Sequence, residues 1–422
     1  MSGLFGTSGI RRREGELTDG FASDLGRALG SCIKSDVAVG RDTRKSGPRL
    51  QDAFISGVLS SGRNVVRLGV VPTPTVGVAT AKLGVGVVVT ASHNPPEYNG
   101  FKFFNKEGAF KPGDEGKVEE NFIAGKFKNG RGSVKDADYV RRHIELIRKR
   151  VKDADGVKVL LDCAGGAGSV VTPRLLDRMG CETKVVNDNC DGVFPHPLEP
   201  TAENLKDTCR IVGKNKVDIG FAHDGDADRT CAIGPDGSLI EWDTFLTALA
   251  SQYDKVVTTV DASMRVEEYC RKVIRVAVGD VAVAEGIRRN KAGFGGEPSG
   301  TYIFPDIHIF PDGVATVAKA VRMVADGDFY ETVTEIPSYP MERVKIPCRI
   351  DEKEKVMANL RRDLKTLDYT DVDGIRVGYD YGWVLIRPSG TEDYVRITAE
   401  AKTRKRLDEL VNTGKEWIRK SR

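Results

Sequence analysis

VKVLLDCAGGAGSVVTPRLLDRM, residues 157–179, decides the fold class. Residues 157–162 read as a buried-type strand, the glycine-rich 164–168 as a tight turn, and 170–179 as a helix. Strand, turn and helix in that order form the unit of an α/β layer. The same rhythm runs on both sides. Upstream, 37–40, 65–69 and 86–90 read as strands and 50–61 as a helix. The charged stretch 136–152, with Tyr139, Ile144 and Ile147 among its apolar positions, reads as an amphipathic helix leaving the first cycle. Downstream, 184–186 and 219–222 read as strands. A third cycle starts near Trp242, with helices at 245–252 and 281–289 around a strand at 255–260. From Pro337 the rhythm changes: strands at 344–346, 374–377 and 383–388 accompany helices at 352–365 and 404–420. The expectation is three similar α/β domains with mixed, mainly parallel sheets, followed by a C-terminal α+β domain. Their bounds are set at 1–140, 155–238, 239–335 and 336–422.

A chain of 422 residues exceeds one ordinary core. Its 40% hydrophobic and 30% charged content suits a soluble globular protein. A net charge of +3 is too small to argue for nucleic acid or a membrane surface. Eight cysteines without a C-x-x-C pair point to free thiols in a reducing cytoplasm. Neither an apolar leader nor a run of about 18 apolar residues is found. These features predict a cytoplasmic protein; small-molecule partners and a monomer or homodimer are expectations that composition does not derive.

Four motifs carry chemistry. Thr90-Ala91-Ser92-His93-Asn94-Pro95-Pro96 puts a hydroxyl at a stiff turn after an apolar strand, a place for a phosphoryl-accepting serine. Lys102, ten residues on, is a candidate proton acceptor or charge stabiliser. Asp224, Asp226 and Asp228 crowd carboxylates that repel unless a hard cation joins them, and Mg²⁺ beside phosphate suits such oxygens. An EF-hand is excluded, because its loop positions 6 and 12 are Arg229 and Pro235. Asp226-Ala227-Asp228-Arg229-Thr230 also fits a haloacid-dehalogenase-type phosphatase, with Asp226 as nucleophile. Glu297 and Ser299, in Gly295-Gly296-Glu297-Pro298-Ser299-Gly300, can hydrogen-bond adjacent sugar hydroxyls. Arg387-Pro388-Ser389-Gly390-Thr391 supplies a guanidinium, hydroxyls and backbone N–H groups to a phosphate, without being a Walker loop. A silent sugar-phosphate sensor would not need three clustered carboxylates.

Those motifs, in that order, resemble the α-D-phosphohexomutases, the superfamily of phosphoglucomutase, phosphomannomutase and phosphoglucosamine mutase. The likeness extends to residues 4–11 (LFGTSGIR), 39–47 (VGRDTRKSG) and Pro72-Thr73-Pro74. It implies four domains around one central cleft. It makes Ser92 the phosphoserine and a metal ligand beside Asp224, Asp226 and Asp228. Arg11, Lys102 and His93 join Ser92 as catalytic residues. Arg229, Glu297, Ser299, Arg387, Ser389, Gly390 and Thr391 become substrate contacts. The implied reaction interconverts hexose 6- and 1-phosphates through a 1,6-bisphosphate with Mg²⁺. The serine and sugar motifs look most like archaeal-type phosphoglucosamine mutases, with glucose or mannose phosphates as the alternative substrates. Three departures stand out: Arg12 and Arg13 follow Arg11, Thr301 replaces a histidine common after the sugar motif, and Asp393 replaces a common proline.

Overall fold

The computed structural model describes residues 3–6, 9–390 and 392–422. The chain forms two compact units. One runs to Phe245 and takes in Ser299–Glu331; the other comprises Leu246–Pro298 and Thr332–Arg422.

The first unit is built on two sheets. In spatial order, the first has Ile10–Arg13, Tyr98–Asn105, Gly84–Val89, Asp36–Arg41, Val65–Val70 and Val134–Asp136. The last four strands run parallel; Tyr98–Asn105 is antiparallel to both of its long neighbours. Val85, Val87, Val88 and Val89 are all buried, as a strand covered on both faces requires. The second sheet orders Thr230–Ile233, Ile219–His223, Lys158–Asp162 and Glu182–Val186, and only its first pair is antiparallel. The decisive stretch behaves as read: Lys158–Asp162 is followed by a short 3₁₀ turn and the helix Thr172–Arg178.

The amphipathic reading at 136–152 is too long. The helix spans Val140–Arg148, and Val134–Asp136 instead extends the first sheet beside Val65–Val70. Asp138 ends the strand segment by accepting the Val140 N–H through its side chain, an Asx-type start that competes with helix. Val140, His143, Ile144 and Ile147 form the buried stripe.

In the second unit, Lys272–Val276, Lys255–Thr259 and Phe294–Glu297 run parallel. A five-stranded antiparallel sheet orders Met341–Pro347, Tyr394–Ala401, Gly382–Pro388, Ile375–Tyr379 and Tyr369–Thr370, with the helices Ile350–Asp363 and Arg404–Lys420. The buried Glu400 carboxylate is satisfied by the Trp383 indole N–H at 2.7 Å, the Met264 N–H at 2.8 Å and the Ser263 hydroxyl. Mainly parallel sheets ending in an antiparallel one give the expected four-domain α/β architecture.

One packing constraint was invisible to hydrophobic periodicity. The helices Asp19–Cys32 and Gly47–Ser60 touch through their backbones at two glycines. A Cβ on Gly57 would lie 1.9 Å from the Ser23 carbonyl oxygen, and one on Gly26 would lie 2.2 Å from that of Phe54. Gly57→Ala should therefore lower stability by about 1–3 kcal/mol, despite alanine's better helix propensity. Thermal unfolding of the two proteins side by side measures this; an unchanged or higher midpoint contradicts the close-contact account.

Candidate active site

Ser92 sits just past the strand Gly84–Val89, fully buried, with φ of 52°. A left-handed serine is costly unless its surroundings hold it. Its N–H donates to Thr90 Oγ1 at 2.8 Å. Arg44, 1% exposed, donates through Nη2 to the carbonyls of Ser92 and Asn94 and through Nη1 to those of Pro95 and Tyr98, each at 2.7 Å. Asp42 receives the Arg44 Nε–H at 3.0 Å and the Thr90 hydroxyl at 2.6 Å. One planar fork thus gathers four carbonyls of the serine loop, work for which a lysine's single ammonium is ill suited. The sequence marked 39–47 only as a family-like stretch; the convergence of Arg44 on the serine loop is a tertiary fact.

The aspartate loop follows Ile219–His223. Ser92 donates its hydroxyl to Asp224 Oδ2 at 2.7 Å, joining the two sheets of the first unit. Gly225 permits this approach, since a Cβ there would lie 2.7 Å from the Ser92 carbonyl oxygen. Lys102, on Tyr98–Asn105, donates to Asp226 Oδ2 at 2.7 Å and to Asp228 Oδ2 at 2.5 Å. Thr73 holds Asp226 twice, by hydroxyl to carboxylate and by N–H to carbonyl. Burial alone would strip the Lys102 proton, but Asp226 and Asp228 outweigh it and push its pKa up. Burial also raises the carboxyl of Asp226, yet Lys102 holds it below its ordinary range. Asp224 goes the other way: burial, then the charges of Asp226 and Asp228, push it well above the carboxylate range.

One oxygen from each aspartate lies within 4.8 Å of the others. Asp226 Oδ1 and Asp228 Oδ1 are buried without hydrogen-bond partners. Hard oxygen donors, two of them otherwise unsatisfied, therefore fit a divalent cation.

Arg11 and His93 lie beside this centre. Arg11 Nη1 donates to Asn94 Oδ1 at 2.9 Å, and its strand pairs with Tyr98–Asn105 at Gly100. Burial, then the charges of Arg229, Arg11 and Lys102, push His93 down to about 3, so it is neutral. Its Nδ1 is buried without a partner. Arg229 donates its N–H to Asp224 Oδ1 at 3.3 Å and bridges to Thr301. Ser299 Oγ lies 3.3 Å from Thr301 Oγ1, within the same unit. His308 belongs to a second cluster, packing against His143 with ring centroids 5.7 Å apart and lying 2.9 Å from Asp312.

The second unit carries the remaining candidates. Glu297 Oε1 accepts the Gly279 N–H at 2.8 Å. Arg387 donates to Asp373 Oδ1 at 2.9 Å, and Ser389 Oγ receives the Glu392 N–H at 3.1 Å. With Gly390, Tyr394 and Arg396 they line a hollow of about 210 Å³. Lys353 braces its floor, donating to the carbonyls of Ser389 at 2.6 Å and Glu392 at 2.5 Å. Arg396 adds a second guanidinium to the hollow, which Glu392 also lines, and it was not picked out from sequence. Thr391 lies outside the described residues.

Profiles of the phosphoglucomutase/phosphomannomutase family match throughout: alpha/beta/alpha domain I over residues 2–129, domain II over 137–237, domain III over 241–339 and the C-terminal domain over 346–413. The chain is 42% identical to "Phosphoglucosamine mutase" of Methanocaldococcus jannaschii, with 100% of this chain and 99% of that one covered. It is 43% identical to "Probable phosphoglucosamine mutase" of Methanopyrus kandleri, with 97% and 96% covered. The chain belongs to the phosphohexomutase family. A crystal structure of a phosphoglucomutase/phosphomannomutase family protein from Burkholderia thailandensis superposes with a TM-score of 0.90 at 28% identity, covering 99% of this chain and 97% of that one. Membership makes the protein an isomerase that works by phosphoryl transfer, and it does not favour the phosphatase reading of Asp226. Among the described residues no helix is long and apolar enough to cross a membrane.

Arg44→Lys should keep the charge against Asp42 but orphan some of the serine-loop carbonyls, at about 1–3 kcal/mol per buried group left unpaired. Mutase turnover should fall roughly 10- to 100-fold, since each 1.4 kcal/mol is tenfold in rate. Steady-state kinetics beside a circular-dichroism spectrum of the folded variant checks this; wild-type turnover would remove Arg44 from the account.

Proposed function

We propose that this phosphohexomutase interconverts glucosamine 6-phosphate and glucosamine 1-phosphate through phospho-Ser92 and a 1,6-bisphosphate. The carrying observation is the Ser92 hydroxyl directed at Asp224 inside a loop of three aspartates. The sugar follows the names of relatives at 42% and 43% identity over nearly whole chains. Glucose or mannose phosphates are the alternative substrates.

In the forward half-reaction the Ser92 Oγ–P bond breaks and a bond forms between that phosphorus and the free sugar hydroxyl; the proton this hydroxyl loses is balanced by the one that restores the Ser92 hydroxyl. The bisphosphate turns end for end, and the reverse transfer from its other end restores phospho-Ser92. A loose phosphoryl-transfer transition state leaves little covalent work for a base and much for fixed positive charge. Arg11, Lys102 and Arg229 provide that charge, and the proton held on Lys102 favours stabilisation over proton abstraction at this residue. Neutral His93 offers the serine side of the site a hydrogen-bonding nitrogen. Asp224, Asp226, Asp228 and Ser92 would hold Mg²⁺, which when bound neutralises charge on the phosphoryl oxygens. Glu297 and Ser299 contact the sugar hydroxyls. Arg387, Ser389, Gly390 and Thr391 hold the phosphate that is not transferring, joined here by Arg396.

The domain bounds 1–140, 155–238, 239–335 and 336–422 belong to the same reading, as do a cytoplasmic location and a monomer or homodimer. Neither nucleic acid nor a membrane is a partner. Ser92→Ala should abolish turnover by more than about 10³-fold, in line with loss of a covalent nucleophile. It should also take up no phosphate from a hexose 1,6-bisphosphate. Intact-mass spectrometry and coupled assays with glucosamine, glucose and mannose phosphates test both parts. Normal isomerisation without a Ser92 adduct overturns the mechanism, and equal rates on all three sugars overturn the glucosamine preference. Chelation by EDTA should stop turnover, and added Mg²⁺ should restore it; activity that survives chelation overturns the metal assignment.

A further inference from the structure

Beside the aspartate loop lies a second titratable cluster that the reaction does not use. Asp312 caps the helix Gly313–Asp326, its Oδ1 accepting the Ala315 N–H at 2.9 Å. Its other oxygen lies 2.9 Å from His143 Nε2 and 2.9 Å from His308 Nε2. His143 and Asp312 are fully buried. Burial pushes the Asp312 carboxyl up, but the two imidazoles outweigh it and hold it ionised. An ionised acceptor takes the His143 Nε2 hydrogen, so Nδ1 is left to accept the Thr75 hydroxyl at 2.9 Å. His308 Nδ1 likewise accepts the Phe310 N–H at 3.2 Å, and its Nε2–H is angled off the line to Asp312. His143 is therefore the better-aligned donor. The same assignment speaks against a metal ion here, because a ring that accepts at Nδ1 has no free Nε2 lone pair to give.

The cluster joins three helices, and two of them grip the aspartate loop. Thr75 is two residues beyond Thr73, which holds Asp226 by backbone and hydroxyl. Gly313, next to Asp312, donates its N–H to the Ala227 carbonyl at 3.1 Å. That contact has no slack: a Cβ on Gly313 would lie 2.7 Å from the Arg229 carbonyl oxygen and 2.8 Å from that of Ala227. Ala227 itself is left-handed, with φ of 52°, so its conformation depends on such grips. His143, from the helix Val140–Arg148, spans the gap between the two.

We infer that His143, by bridging Thr75 to Asp312, is a positioning residue that sets the aspartate loop for its divalent cation. The inference rests on the proposed reading of Asp224, Asp226 and Asp228 as ligands. Partners behind a metal ligand typically change affinity by about 10- to 100-fold when removed.

The test uses Mn²⁺ as probe, its free fraction read by electron paramagnetic resonance against the full-length dephosphorylated protein. His143→Asn keeps a group near Nδ1 for Thr75 but falls short of Asp312; His143→Gln reaches Asp312 again. Mn²⁺ dissociation should weaken about 10-fold in His143→Asn and return to within about 3-fold of wild type in His143→Gln. The KM for the sugar phosphate should stay within about twofold in both, because uniform substrate binding is untouched. Wild-type Mn²⁺ affinity in His143→Asn, or equal weakening in both variants, overturns the inference. If His143→Asn does not fold, Thr75→Val, which removes only the hydroxyl donor, is read by the same criterion against wild type. Asp226→Asn separates the two levels: Mn²⁺ binding that survives it defeats the ligand reading. Binding lost in Asp226→Asn but normal in His143→Asn defeats the positioning role alone.

Discussion

Buried negative charge is the constraint on which this protein's first unit is organised. Two like charges about 4 Å apart repel by roughly 4 kcal/mol at an effective dielectric of 20, and burial adds a desolvation cost. Asp224, Asp226 and Asp228 accept that cost together. Lys102 meets two of them, Thr73 donates its hydroxyl to the same Asp226 oxygen that Lys102 holds, and Ser92 gives its hydroxyl to the remaining carboxylate. What stays unmet is two lone carboxylate oxygens, one on Asp226 and one on Asp228. Hard carboxylate oxygens left in that state suit a divalent cation.

Holding such a loop requires scaffolding of comparable strength from the neutral and cationic side. Arg44 gathers the serine loop from below, and Asp42 and Thr90 lock Arg44 and Ser92 into one network. On the far side, Ala167 donates its N–H to the Gly225 carbonyl at 2.9 Å, and Thr43 donates its hydroxyl to the Gly165 carbonyl at 2.7 Å. The glycine turn at 164–168, which has a partial likeness to a nucleotide fingerprint, thus serves as a brace. The bonds from Arg44 to Ser92, Thr90 to Asp42, Ala167 to Gly225 and Thr43 to Gly165 each cross more than 40 residues of chain. Their common effect is to spend folding stability on geometry, as preorganised sites do.

The extent of legibility differed by kind of feature. Strands such as Gly84–Val89 and Gly382–Pro388 and the helix Arg404–Lys420 stood within a residue or two of their reading, because valine runs and a 3.6-residue apolar period act locally. The helix at Val140–Arg148 was overextended, since the charged flanks carry helix-forming residues while Asp138 and a sheet edge compete for the backbone. Ser92, the three aspartates and the Arg387 turn were legible as motifs. Arg44, Thr73, His143 and Asp312 were not picked out for a role, because nothing in a single residue's neighbours along the chain marks it as a partner.

The order of residues alone determined the α/β class and the kinship with phosphohexomutases, and it singled out Ser92, the three aspartates and the Arg387 turn as candidates, because periodicity and dense motifs survive in one dimension. Only the tertiary structure decided that Lys102 is clasped by Asp226 and Asp228, that His308 turns to Asp312, and that one arginine holds the serine loop. The reason is physical: charge compensation and hydrogen-bond satisfaction depend on separations of 2.5–3.3 Å between groups far apart in sequence, and only folding sets those separations.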